Sequence, residues 1–266
     1  MLFLLTNLQR KYYTYAVSYN KGMELASLRI ELEEEKMKNL QKLGGISAFI
    51  SASSYVFAIG LYLSLMMPLS DSNLGIHEYM TFLKSMKTLV FIWTFSMYII
   101  HGVSLVVLVA ALHERFNSIS PRLALIASCF GFIWTSFVLL SGFINIWGNE
   151  ALIALYGKDS NQAETFKNAL TIISLGIDSS DRFLGSLWVG LVSLAAYRNN
   201  TFPKIFNIFG LTLSAGVLSM GLIMPVNDSS ASLVFGFCTI VWWSILGIYL
   251  MGKNPNSMIY EKGNKK

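Results

Sequence analysis

The sequence predicts an all-α protein, a polytopic bundle of six transmembrane helices with both termini in the cytoplasm. Three observations lead to this fold class: a composition suited to lipid, six long apolar segments, and an uneven distribution of Lys and Arg. Of the 266 residues, 54% are hydrophobic and 13% are charged, and the mean hydropathy is +0.53. A soluble domain carries about 25% charged residues, so a water-soluble enzyme, a disordered chain and a disulfide-stapled secreted module are excluded.

The apolar segments are long enough to cross a membrane, since a helix needs about 20 apolar residues to span the roughly 30 Å hydrocarbon core. Five of them contain no Asp, Glu, Lys or Arg. The fourth has a clean run only over residues 183–197, so it must include the polar residues 178–182 in order to span. The six predicted spans are residues 46–67, 88–112, 123–147, 178–197, 206–225 and 231–252.

The loop charges set the orientation, because Lys and Arg concentrate on the cytoplasmic side of a membrane. With six spans, the two tails and the second and fourth loops share one face, which holds 15 Lys and Arg, and the opposite face holds 5. This asymmetry would largely vanish if the fourth segment did not cross. We therefore expect a multi-pass membrane protein with both tails in the cytoplasm. The basic residues flank spans, so membrane lipids are the expected partners and nucleic acid is not.

The six predicted spans divide the chain into three regions: a cytoplasmic extension (1–42), the membrane domain (43–252) and a cytoplasmic tail (253–266). In the extension, Leu25, Leu28 and Leu32 recur at helical spacing with acidic residues on other faces, which predicts an amphipathic helix. This helix lies on the inner leaflet or binds a protein partner. Met23 is a candidate start residue, as Met1 is.

The outer stretch between the third and fourth spans is predicted to contain helix of its own. Asn161 and Glu164 have the spacing of a capping box, and Phe166, Ala169 and Leu170 continue an apolar stripe. This helix either lies in the outer interface or runs without interruption into the fourth span.

The sequence carries no catalytic or metal-binding signature. It has no HExxH, GxSxG or GxGxxG, and Cys129 and Cys238 stand in apolar runs without a CxxC. His77 and His113 are expected in loops. A bis-histidine heme is excluded because His113 lies about 18 Å along the helix from the one membrane-buried histidine, His101. We therefore expect no metal and no cofactor.

His101 is the first candidate site residue, since it stands near the middle of the second span. An ionisable group in mid-membrane is costly, so it is expected to face the bundle interior and to have a partner. Asp181 is the expected acidic partner, because no other inner-facing carboxylate is available. Ser104 and Asn145 are further candidates for lining a polar cavity.

Asp178, Asp181 and Arg182 form the second candidate, because their spacing places them on one helical face. Two interpretations remain open. If the helix begins near Asn168, the cluster lies well below the outer surface and forms a buried polar network with His101. If the helix begins at Asp178, the cluster is a solvated helix start.

Two stretches carry a family resemblance: VVLVAALHERFNSISPRLALIASCFGFIWT at 106–135 and FLGSLWVGLVSLAAYRNNTFPKIFNIFGLTLSAG at 183–216. Together they resemble a bacterial family of six-span membrane proteins known only as a domain of unknown function, number 4386. The resemblance extends over about residues 42–253. Members of that family often have a His near the start of the fourth span, where this chain has Asp181 and Arg182. The resemblance implies the fold and a multi-pass protein of the bacterial inner membrane, and it implies no activity.

The expected role is therefore non-enzymatic: binding, transport or service as an accessory subunit. The motivating observation is a membrane bundle without a recognisable catalytic set. The alternative is a membrane-embedded enzyme acting on a lipid or isoprenoid substrate, with His101 as base and Asp181 as the residue that orients it.

Overall fold

A computed structural model describes the backbone of residues 2–70, 74–223 and 229–252, and the side chains of 28–29, 31–67, 69, 74–219 and 234–252. The predicted tail at 253–266 and the end of the predicted fifth span lie outside these residues, as does the side chain of Leu25. The regular structure within them is entirely helical. The α-helices are α1 (Leu2–Leu61), α2 (Ile76–Ser85), α3 (Lys87–Thr94), α4 (His101–Asn117), α5 (Pro121–Tyr156), α6 (Ser160–Asn199), α7 (Lys204–Ile223) and α8 (Ser229–Gly252).

Tighter and wider helical turns join some of these elements. A π-helical turn at Tyr62–Met66 and a 3-10 turn at Met67–Ser70 follow α1. A second π-helical turn, Phe95–Ile100, joins α3 to α4 without a break. The expectation that His77 and His113 stand in loops is wrong for both. His77 lies in α2, a short helix between the first two predicted spans, and His113 lies in α4, which continues past its predicted span to Asn117.

Long apolar helices confirm the predicted class, an all-α membrane protein. Within the described residues, four helices are long and apolar enough to cross a membrane: Glu31–Met66, Lys87–Asn117, Pro121–Tyr156 and Val234–Gly252. They contain the second and third predicted spans in full and nearly all of the first and sixth. The fifth predicted span falls on α7, of which Lys204–Ser219 has described side chains, and the fourth falls on the second half of α6. Length and composition do not decide these two crossings, so the six-span count stays a prediction.

Helix α6 begins earlier than the capping-box spacing indicates. Its N-cap is Asp159, whose side chain accepts hydrogen bonds from the backbone N–H groups of Asn161 (2.9 Å) and Gln162 (3.1 Å). The predicted cap at Asn161 is therefore wrong by two residues, because the Asp159 carboxylate already satisfies the free N–H groups of the first turn. From Ser160 the helix runs without interruption to Asn199, through the predicted outer helix and the fourth span.

The chain divides into two compact units, Met1–Leu40 with Asn254–Lys266, and Gln41–Lys253. In the described part of the first unit, the side chains of Leu28 and Leu32 are exposed, and Lys36 pairs with Glu33 at 3.1 Å on the surface. The second unit holds the main core, which is rich in aromatic side chains, including Trp134, Trp188, Trp242, Trp243, Phe202 and Phe206.

A smaller core lies at the end where α5 meets α6. Its buried members come from α2, α3, α5, α6 and the turn after α1, and they are Met66, Met80, Leu83, Val90, Leu152 and Ala163. Polar contacts surround it: Lys87 pairs with Glu150 at 2.8 Å, and the Tyr156 hydroxyl hydrogen-bonds Nδ1 of His77. At 1.5 Å per residue α5 is about 54 Å long, which exceeds the thickness of the hydrocarbon core. The end of α5 that carries the smaller core can therefore lie outside the hydrocarbon core.

Two glycine–tryptophan contacts lock α5 against α6. A Cβ atom at Gly131 on α5 would lie 2.6 Å from the indole of Trp188 on α6, and a Cβ at Gly185 on α6 would lie 2.6 Å from the indole of Trp134 on α5. Each glycine thus gives the tryptophan of the other helix a place against the backbone. This reciprocal packing fixes the two helices in register and at close distance.

Candidate functional site

The wide turn before His101 sets the direction of its ring. Phe95–Ile100 is π-helical, and a π-helical turn shifts the register of the residues that follow it. His101 is then 0% exposed, so the structure places it in the bundle interior.

Aromatic rings enclose His101 on several sides. Its ring centroid lies 4.7 Å from that of Trp243, 4.8 Å from that of Tyr55 and 6.2 Å from that of Trp134. These neighbours come from α8, α1 and α5, so four membrane helices meet at this histidine. We call His101, Tyr55, Trp134 and Trp243 the aromatic centre.

Polar atoms of this centre lack partners in the described part of the chain. Neither ring nitrogen of His101 has a hydrogen bond there, and neither does Nε1 of Trp243. Outside the centre, Oγ of Ser51, one turn before Tyr55 on α1, also has none. A buried polar atom without a partner costs about 1–3 kcal/mol. The centre is therefore not a self-satisfied core network, and it has free donors and acceptors for a polar molecule.

We call Asp178, Asp181 and Arg182 the α6 cluster, and this cluster contacts the aromatic centre through Trp134. The indole Nε1–H of Trp134 donates to Oδ1 of Asp181 at 2.5 Å. On the same face, Asp178 Oδ1 accepts a hydrogen bond from the Ser141 hydroxyl at 3.3 Å. Arg182 donates to Ser179 Oγ at 3.4 Å. The cluster is therefore tied to α5 at two depths.

The cluster carries a net charge. Asp178, Asp181 and Arg182 are half-buried on α6. Two carboxylates against one guanidinium give the cluster a formal charge of one negative when all three are ionised.

The contact with Trp134 fixes the depth of the cluster relative to α5. Trp134 is near the centre of the predicted third span, and Asp181 lies about 30 Å along α6 from Ser160. The interpretation of a solvated helix start at Asp178 is therefore wrong, because α6 begins eighteen residues earlier.

The two remaining predicted site residues, Ser104 and Asn145, do not line a polar cavity through their hydrogen bonds. Ser104 Oγ donates to the carbonyl of Ile100 at 2.9 Å, and Asn145 Nδ2 donates to that of Ser141 at 2.8 Å, so both bond their own helix backbone. Asn145 still borders the cluster through Ser141. The predicted direct pair of His101 and Asp181 is not formed, since Trp134 stands between them and binds the carboxylate.

Sequence reasoning missed Tyr55, Trp134 and Trp243. An aromatic residue in an apolar span gives the same sequence pattern whether its side chain faces lipid, packs against protein or lines a site. Periodicity alone therefore does not identify these three residues as members of a site. The one usable signal is the polar atom of Trp and Tyr, which needs a partner when buried in mid-membrane.

No group of three or more His, Cys, Asp or Glu residues in the described part of the chain is arranged to hold a metal ion. Cys129 is exposed and Cys238 is half-buried, and neither forms a disulfide.

Comparison with models of known protein families gives a match that covers most of the chain. The family described as Domain of unknown function (DUF4386) matches residues 56–253, which is well over half of the chain and contains His101, Asp178, Asp181 and Arg182. No curated protein and no solved structure matches the chain.

Proposed function

The chain belongs to the family named Domain of unknown function (DUF4386), and we propose that it is a non-enzymatic binding protein of the bacterial inner membrane. In this proposal it crosses the membrane six times with both termini in the cytoplasm. It binds a small cationic ligand where the α6 cluster meets the aromatic centre, and its role is that of a transporter or an accessory subunit.

Packing of α6 against α5 supports the fourth crossing. Helix α5 is long and apolar enough to cross, and the reciprocal contacts of Gly131 with Trp188 and of Gly185 with Trp134 hold α6 beside its middle. Helix α6 therefore shares the depth of α5 over these residues. The next helix follows α6 closely in turn, because a Cβ at Gly190 would lie within 3.0 Å of Cβ of Ser214 on α7.

A single observation carries the choice of ligand. Asp181 binds the indole of Trp134, whose ring also lies beside that of His101, and Asp178 and Arg182 stand on the same face of α6. The two carboxylates and one guanidinium are therefore one tryptophan away from the ring nitrogens of His101, which have no partner in the described residues. A net negative charge next to electron-rich ring faces favours a cation, which gains from both the carboxylates and the cation–π attraction. A desolvated cation of modest size, such as a quaternary ammonium group, suits this chemistry best.

Geometry favours binding over catalysis. A general base needs a group that holds its ring in the right orientation, and the proposed group for His101 was Asp181. Asp181 instead accepts the hydrogen bond of Trp134. The alternative of a membrane-embedded enzyme on a lipid or isoprenoid substrate thus lacks its base and orienter pair.

Partners outside the bundle follow from exposed apolar surface. Leu28 and Leu32 are 49% and 57% exposed and stand four residues apart on α1. We propose that this stripe binds a protein partner or lies on the inner leaflet, in keeping with its amphipathic pattern. Membrane lipids contact the apolar outer faces of the bundle.

Tryptophan fluorescence of the purified protein in nanodiscs tests the ligand proposal, with tetramethylammonium chloride as the probe and sodium chloride at equal ionic strength as the reference. We expect a saturable change in the wild type and at least a tenfold weaker response in Asp181→Asn, because the neutral side chain removes one of the two carboxylates.

Asp159→Asn is the matched control for this titration. It makes the same chemical change on the same helix, and asparagine also caps helices well, so this variant is expected to respond as the wild type does. An identical response to both salts, or an unchanged response in Asp181→Asn, would contradict a cation site.

A further inference from the structure

A buried arginine lies at the other end of the bundle from the small core. Arg115 stands in the last turn of α4 and is only 5% exposed. Its Nη1 donates to Oε1 of Gln41 at 3.2 Å, and Nε2 of Gln41 donates to the carbonyl of Ala111 at 2.7 Å. The ring of Phe202 covers the guanidinium, with the ring centroid 5.1 Å from Cζ. Gln41 and Phe202 therefore hold the group in one orientation.

Two of the three guanidinium nitrogens of Arg115 have no hydrogen-bond partner in the described residues. Nε and Nη2 are buried and make no hydrogen bond there. The ion pairs found among those residues join Lys36 to Glu33 and Lys87 to Glu150, so Arg115 has no carboxylate there. Arginine does not lose its proton in proteins, and a buried charge without a counter-charge is costly. The unpaired edge therefore favours the approach of an anion.

The free edge has the shape that a phosphate recognises. Nε and Nη2 form one side of the planar fork, and two parallel N–H groups on that side bind two oxygens of one phosphate. A lysine at the same place would offer one point charge instead.

The surroundings of Arg115 are basic. Exposed cations stand on the neighbouring elements at this end: Lys42 on α1, Arg122 at the start of α5, Arg198 near the end of α6 and Lys204 at the start of α7. The proposed topology puts this end in the cytoplasm, where anionic headgroups give the leaflet a negative potential. The only acid next to Arg115 along α4 is Glu114, which is exposed.

We propose that Arg115 binds a phosphate group through Nε and Nη2, supplied by the headgroup of an anionic phospholipid or by inorganic phosphate. Because the two nitrogens are covered, the phosphate enters when the turn between α6 and α7, which carries Phe202, moves aside. Gln41 is the positioning residue that keeps the fork aimed at the entering group. This site is independent of the cation site proposed above.

Thermal unfolding in nanodiscs tests the phosphate site. Wild-type protein is measured in phosphatidylcholine alone, with phosphatidylglycerol added, and in phosphatidylcholine with inorganic phosphate. Either phosphate source is expected to raise the unfolding midpoint by about 5 °C at saturation. If only phosphatidylglycerol raises the midpoint, the bound phosphate belongs to a lipid headgroup. If inorganic phosphate raises it as well, a phosphate group without lipid is sufficient for binding.

Three variants separate this site from general surface charge. Arg115→Gln is expected to lose the rise, and Arg122→Gln, which removes an exposed arginine at the same end, is expected to keep it. Arg115→Lys retains the positive charge and is expected to fold, but to lose most of the increase in unfolding midpoint. If Arg115→Gln does not fold, Arg115→Lys therefore serves as the test of the phosphate site. The proposal is overturned if the wild type responds to neither phosphate source, or if Arg115→Lys responds as the wild type does.

Discussion

Replacing Gly185 with alanine should lower the free energy of unfolding by about 1–3 kcal/mol, because the added methyl group enters a filled space. Its Cβ would lie 2.6 Å from the Trp134 indole, a rigid ring that also donates to Asp181. The ring has to move, and the helices α5 and α6 then separate. Denaturation in mild detergent, followed by tryptophan fluorescence, measures the change.

Gly176 on the same helix is the matched control. A Cβ there meets no atom within 4 Å, so Gly176→Ala brings only the better helix propensity of alanine. We expect it to leave stability unchanged or to raise it by up to about 1 kcal/mol. If both variants shift stability in the same direction, the reciprocal contact does not hold α6 against α5.

Replacing His101 with leucine is expected to stabilise the protein by about 1–3 kcal/mol while abolishing the response to tetramethylammonium. Leucine has a similar volume and removes two buried nitrogens that have no partner in the described structure. Stability gained where a ligand response is lost is typical of a binding site that holds unpaired polar groups. The same denaturation and titration experiments measure both effects.

His113→Leu is the matched control, because the same substitution is expected there to lower the free energy of unfolding instead of raising it. His113 Nδ1 lies 2.8 Å from Ser128 Oγ, so its loss removes a made hydrogen bond and should cost about 0.5–1.5 kcal/mol. The ligand response should remain. A destabilising His101→Leu that keeps the full response would show that His101 is a packing residue.

Much of the fold was predictable from apolar run length. The described part of each predicted span is helical, because a segment in lipid must satisfy its backbone internally and has few alternatives to a helix. Helix ends were less predictable. Helix α4 passes the predicted end of its span by five residues, and Asp159 displaced Asn161 as the cap of α6.

The candidate site was predictable only in its ionisable residues. His101, Asp181 and Asp178 stand out because charge is rare in a span, and the structure links them through α5. Trp134, which separates His101 from Asp181, carries no such signal. The π-helical turn before His101 changes which face each later residue occupies, and no periodicity in the sequence marks it.

The crossing of α6 is the central claim, because it places the Asp178–Arg182 cluster inside the membrane. Single cysteines at Ser160, Lys204 and Ser257, in a background without Cys129 and Cys238, test it with an impermeant thiol reagent on intact cells. The account predicts labelling of Ser160→Cys from outside, and of Lys204→Cys and Ser257→Cys only after permeabilisation. Labelling of Lys204→Cys from outside, as for Ser160→Cys, would contradict the account, because both ends of α6 would then lie on one side of the membrane.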